Sequence, residues 1–141
     1  MSFVVDCSVT VPWYIEDEAT LFTDSLLDRV GQVEIHAPGL WVLEFSSAIL
    51  NAEKRRRITA ADRLQIIAQA SQLPLVIDTH PPSLTQFVEL ANRYQLTPYD
   101  AAYLELALRR SATLCTLDAA LVRTAREAGC SLLTDLNRYP E

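Results

Sequence analysis

Four carboxylates stand where a carboxylate is either conspicuous or costly. Asp6 ends the apolar run "FVVD" near the start of the chain, and Asp118 follows a second such run in "TLCTLD". Between Glu34 and Glu53 the only Asp, Glu, Lys or Arg is Glu44, flanked by Trp41, Leu43, Phe45 and Ala48. Asp100 opens "YDAAYLELAL" and shares a helical face with Tyr103, Leu104 and Ala107. A carboxylate among apolar neighbours needs a partner. Several carboxylates brought together repel, and stay ionised only when a cation compensates them. Hard oxygen ligands without histidine or thiolate favour Mg²⁺ or Mn²⁺ over Zn²⁺. Such a centre suits phosphoryl chemistry: the metal activates a water, clamps the phosphate and stabilises a departing oxygen, and two ions about 4 Å apart can divide these tasks.

Each acid also has an ordinary explanation. Asp118 can be a plain N-cap, Asp100 can complete a capping box begun by Thr97, Asp6 can start a turn, and Glu44 can point along its helix into solvent. The chemical reading rests on the set of four, all compatible with one place in the fold. Other reactive residues lack such company. Cys7 has no histidine placed to activate it and reads as small buried filler, Trp13 reads as core cover, and His36 and His80 have no constellation around them.

The elements that must position the acids are short. Strands are expected at Phe3 to Asp6, Val33 to Ala37, Leu73 to Ile77, Ala112 to Thr116 and Ser131 to Thr134; most are continuous apolar runs, as in strands covered on both faces. Helical patterns fall between them, over Thr20 to Val30, Leu40 to Arg56, Ala60 to Gln72 after the cap Thr59, Ser83 to Tyr94, and Pro98 to Arg110, whose apolar face is Leu104, Ala107 and Leu108. Asp118 opens a last helix that stops near Gly129. This alternation predicts one α/β domain over residues 1–141 with a mostly parallel sheet, in which Asp6 and Asp118 reach the crevice beyond the carboxyl ends of the strands.

Composition narrows the class. Half of the 141 residues are hydrophobic and 21% charged, a globular balance. There is no basic leader ahead of the first strand and no membrane-length apolar run, and three cysteines without a C-x-x-C pair fit a reducing cytoplasm. The net charge of −6 opposes nonspecific phosphate binding, an objection that weakens once acids hold metal. Of the twelve cations only Lys54 is lysine. Arg55, Arg56 and Arg57 can contact a phosphate backbone or simply answer the helix dipole, and Arg109 and Arg110 pose the same choice.

Taken in order, "VVDCS", "LEFSSAIL", "LTPYDAAYLELAL" and "TLCTLDAAL" resemble the PIN domain superfamily, and within it the VapC toxins of toxin-antitoxin modules. The resemblance spans essentially the whole chain. It implies a three-layer α/β/α domain around a parallel five-stranded sheet, and a Mg²⁺- or Mn²⁺-dependent endoribonuclease whose catalytic and metal-binding acids are Asp6, Glu44, Asp100 and Asp118. Ser8 and Thr116 match accompanying hydroxyls; they can equally be local turn and cap residues. In the mechanism expected, Asp6, Asp100 and Asp118 hold the ion, Glu44 holds or deprotonates the attacking water, and cleavage leaves a 5′-phosphate and a 3′-hydroxyl. A homodimer and a cognate antitoxin are implied too. Two departures stand out: Arg57 occupies a place where many relatives have glycine, and Ala119, Ala120 and Leu121 supply no further acid after Asp118.

Three other functions compete. A receiver-like phospho-acceptor also uses strand-end aspartates, but wants a lysine after the last strand, where this chain has none. A metal phosphatase wants a second aspartate where Ser8 stands. A housekeeping RNA-processing nuclease would share the acids and lack an antitoxin gene beside it.

Overall fold

The computed structural model describes residues 1–136; the last five residues of the expected 1–141 domain lie outside the described residues. Five strands, β1 (Ser2–Val5), β2 (Glu34–Ala37), β3 (Leu75–Ile77), β4 (Thr113–Cys115) and β5 (Leu132–Leu133), pair in parallel in the order β3-β2-β1-β4-β5. Between them run helices α1 (Cys7–Thr10), α2 (Leu21–Leu27), α3 (Leu40–Lys54), α4 (Ala60–Ala70), α5 (Leu84–Tyr94), α6 (Pro98–Arg110) and α7 (Ala119–Glu127). The architecture is a three-layer α/β/α sandwich.

The pleat of β1 explains the layering. Val4 faces one core with Leu114, Trp41, Phe45, Ile49 and Leu104, whereas Phe3 and Val5 face the other with Ile35, Cys115, Val9 and Leu26. A strand buried on both faces cannot alternate polar and apolar residues, so it reads as a continuous run. Position in the sheet matters as much. β1 lies between β2 and β4, so the chain winds outward one way through β2 and β3 and then returns to continue the other way through β4 and β5. The reversal between β1 and β4 opens a crevice at their carboxyl ends. No helix among the described residues is long and apolar enough to cross a membrane.

Three local expectations are corrected. β3 begins at Leu75 rather than Leu73, because Pro74 has no N–H to give to the ladder. On α6 the buried side chains include Ala101, Leu104, Leu106 and Ala107, while Leu108 is 37% exposed; the helix packs on the sheet, α5 and α7, so its covered arc is wider and rotated from the one expected. The turn after Asp6 is a short helix, α1, in which the Asp6 carbonyl accepts from the N–H groups of Val9 and Thr10 at 3.2 and 3.1 Å.

Helix starts follow their caps. Thr59 and Ser83 close capping boxes with Asp62 and Gln86, as does Thr20 with Thr23. The ends are less orthodox. The residue at which α3 gives way is Arg56, with φ 59°, and the Arg57 N–H bonds to the Ala52 carbonyl at 2.9 Å, a Schellman ending without a glycine. Gln95 (φ 54°) and Ser111 (φ 51°) end α5 and α6 in the same way, whereas α7 uses Gly129. A side chain in this left-handed region costs roughly 1–2 kcal/mol. Arg56→Gly should therefore raise unfolding stability by about 1 kcal/mol, read as a higher urea midpoint with an unchanged m-value; a lower midpoint would refute it.

Candidate functional site

Asp6 leaves β1 into the crevice and is 5% exposed. The Ser8 hydroxyl donates to Oδ1 and the Thr116 hydroxyl to Oδ2, each at 2.5 Å. Those hydroxyls are held in turn: the Leu117 N–H donates to Ser8 Oγ at 2.8 Å, and the Asp118 N–H to Thr116 Oγ1 at 3.0 Å. A carboxylate oxygen accepts more than one bond, so both keep acceptor capacity toward the crevice. Burial, and to a lesser degree the charge of Asp118, pushes the Asp6 carboxyl up to about 6 against the pull of its two hydroxyl donors.

Asp118 is the N-cap of α7, its Oδ1 accepting from the Leu121 N–H at 3.0 Å. The ordinary role is thus filled by one oxygen, and Oδ2 has no hydrogen-bond partner among the described residues. Asp100 sits in the first turn of α6, a helix that runs back to β4, so its N-terminus lies at the carboxyl edge of the sheet. Thr97 Oγ1 accepts from the Asp100 N–H at 3.2 Å, but the reciprocal bond from the side chain to the Thr97 backbone, which closes the boxes at Thr59 and Ser83, is not formed. Burial raises the Asp100 carboxyl above its ordinary range, with further pushes from Asp118 and Glu44.

Glu44 is half-buried rather than pointing into solvent, and its partner is a hydroxyl: Tyr103 Oη donates to Oε1 at 2.5 Å. Tyr103 is 2% exposed and its phenol is driven well above its usual range, first by burial and then by this bond, so it stays a donor. It holds the Glu44 carboxylate in place and leaves Oε2 open. The sequence had placed Tyr103 on the Asp100 face of α6 without a partner. Cys7, beside these acids, has a thiol pushed up to about 12 by burial, Glu44 and Asp6, which fits inert filler rather than a nucleophile.

The four acids therefore form one electrostatic group: Asp6 feels Asp118, and Asp100 feels Asp118 and Glu44. No three His, Cys, Asp or Glu side chains among the described residues close into a ready ligand cage. The donor set is all oxygen and its mutual repulsion calls for positive charge, which fits a hard divalent cation held partly through water. The remaining candidates stay apart. Arg109 donates to Asp78 at 2.8 and 3.2 Å and to Glu105 at 2.7 Å, tying the end of β3 to α6, and Arg57 bonds Asp17 and Glu18. His36 is buried and paired with Glu34, and His80 bonds Thr79; neither joins the acids.

Comparison with known proteins closes the argument about ancestry. The PIN domain family model matches residues 3–134. The chain belongs to the PIN domain family. PIN domains are in general nucleases that use divalent metals. Two solved structures share the fold. One is PAE2754 from Pyrobaculum aerophilum, with a TM-score of 0.70, 17% identity, and coverage of 98% of this chain and 93% of that one. The other is FitAcB from Neisseria gonorrhoeae, with a TM-score of 0.65, 12% identity, and coverage of 93% and 96%. No curated protein matches the sequence. At these identities the two structures speak for the fold alone, so the roles of individual residues in this PIN domain rest on the crevice itself.

Proposed function

We propose that this PIN domain, a single domain over the whole chain, is a Mg²⁺- or Mn²⁺-dependent endoribonuclease, acting as the toxin of a VapBC-type module in the cytoplasm. The observation that carries the reading is Asp6: a buried carboxylate, clamped by two hydroxyls from the ends of β1 and β4, that feels the charge of Asp118, as Asp100 feels Asp118 and Glu44. A carboxylate this expensive to bury is hard to explain by packing, since no cation among the described residues pairs with it.

Asp6, Asp100 and Asp118 are assigned as the residues that hold the cation, directly or through water. When bound, the ion supplies positive charge for the scissile phosphate and lowers the pKa of a water. Glu44, oriented by Tyr103, accepts the proton of the attacking water at Oε2. Ser8 and Thr116 position Asp6 rather than touch substrate. The product ends are a 5′-phosphate and a 3′-hydroxyl. A homodimer and an antitoxin that covers the acids complete the proposal.

The test is incubation of purified, partner-free protein with total cellular RNA in Mg²⁺ or Mn²⁺, with and without chelator. Discrete fragments bearing 5′-phosphates, lost on chelation, are expected. A folded protein that cuts no RNA in either ion would overturn the reading, and stable labelling by a small phosphoryl donor would replace it with the phospho-acceptor function.

A further inference from the structure

Three consecutive arginines end α3, and the fold gives each a different fate. Arg57 is committed to Asp17 and Glu18, at 2.8 and 2.9 Å. Arg56 occupies the left-handed position that terminates the helix. Arg55 is exposed and has no ion-pair partner among the described residues. Its position is not arbitrary. Glu44, Ala48, Asn51 and Arg55 follow one another at spacings of four, three and four, and so share one face of α3.

That face borders a groove of about 290 Å³, lined by Cys7, Ala48, Asn51 and Arg55, with Glu18 and Arg57 also contributing. Cys7 feels the charges of Glu44 and Asp6, so that end of the groove lies beside the acid group, although none of the four acids lines it; Arg55 stands about 16 Å from Glu44 along the helix axis. Ala48 keeps the floor low between them. The one carboxylate on the groove, Glu18, is paired with Arg57, so the free cation of Arg55 is the charge the groove offers to a ligand.

We propose that Arg55, assisted by the Asn51 amide, binds a backbone phosphate of the RNA strand a few nucleotides from the bond being cut. This rests on the nuclease reading and adds to it a substrate track along α3. A planar guanidinium suits a phosphate, and a phosphate contact is independent of base sequence. The track also accounts for how an acidic domain holds a polyanion: attraction is delivered at one place, beyond the acids, rather than by overall charge.

The experiment uses the Asp100→Asn protein, expected to cut RNA at least about a hundredfold more slowly, and a fluorescein-labelled oligouridylate titrated over a range of salt concentrations. Adding Arg55→Ala is expected to weaken binding about tenfold and to reduce the slope of log K against log salt by about 0.7. Arg55→Lys should restore the slope, and Arg56→Gly, which removes an adjacent cation off the groove, should change affinity less than about twofold. Equal losses from Arg55→Ala and Arg56→Gly would overturn the proposal, because the effect would then be general charge. So would an unchanged KM for Arg55→Ala in a wild-type background that cleaves total RNA, which leaves the nuclease reading standing. Absence of both cleavage and binding overturns both.

Discussion

Asp100→Asn is expected to lower metal-dependent RNA cleavage by roughly two to three orders of magnitude while the melting temperature stays level or rises. The two halves of this result have separate causes. The bond that starts α6 runs from the Asp100 backbone N–H to Thr97 Oγ1, and asparagine keeps it. The charge that asparagine removes is opposed in the folded state by burial, Asp118 and Glu44, so its loss relieves repulsion. A group retained at a cost to stability is the signature of a working site. Cleavage rates and thermal melts on the same preparations check it. Full activity with a changed melting temperature would mean that Asp100 serves only the helix.

A second large effect concerns pH. The Asp6 carboxyl is pushed up to about 6 from its ordinary 3.8, chiefly by burial. The folded protein therefore binds this proton more tightly than the unfolded chain does. The resulting stabilisation is complete below the unfolded value of 3.8 and is lost as pH rises through about 6. The loss amounts to about 3 kcal/mol. Asp6→Asn has no such proton, so its stability should fall less over this window; Asp62 and Asp78, whose carboxyls lie below their ordinary range, are common to both proteins and cancel in the difference. Mg²⁺ or Mn²⁺ should restore stability to the wild type above pH 6 and do less for the variant. Urea titrations at several pH values, with and without the ion, measure both. Parallel pH profiles would place Asp6 in a solvated setting and undo the argument.

The sheet was legible from sequence because strands buried on both faces leave unbroken apolar runs, and Phe3 to Val5 is the plainest of them. Helix starts were legible wherever a side chain makes the cap, as at Thr59 and Asp118. Helix ends at Arg56, Gln95 and Ser111 were not, since their left-handed backbone carries no glycine to announce it. Helix α1 was missed because four residues, two of them β-branched, show no period. At the site, Asp6 and Asp118 could be placed by counting from strand ends, Glu44 and Asp100 by the apolar neighbours on their helices, and Ser8 and Thr116 only through the family resemblance. The Glu44–Tyr103 bond joins residues 59 apart on two helices, and only tertiary packing brings them together.

The adjacency of β1 and β4 also sets a clock. Ser8 and Thr116 meet across 108 residues of chain, and the bond from Thr116 to Asp6 spans 110. At ordinary rates of translation the ribosome needs about 5 to 20 seconds to make that length. Throughout this interval β1 is already made while one of its edges waits for a neighbour, and Asp6 holds only the nearer of its two hydroxyls. A nascent chain thus carries only half of the hydrogen-bonded frame around Asp6, and on the proposed nuclease reading no cutting begins until β4 has emerged to complete it.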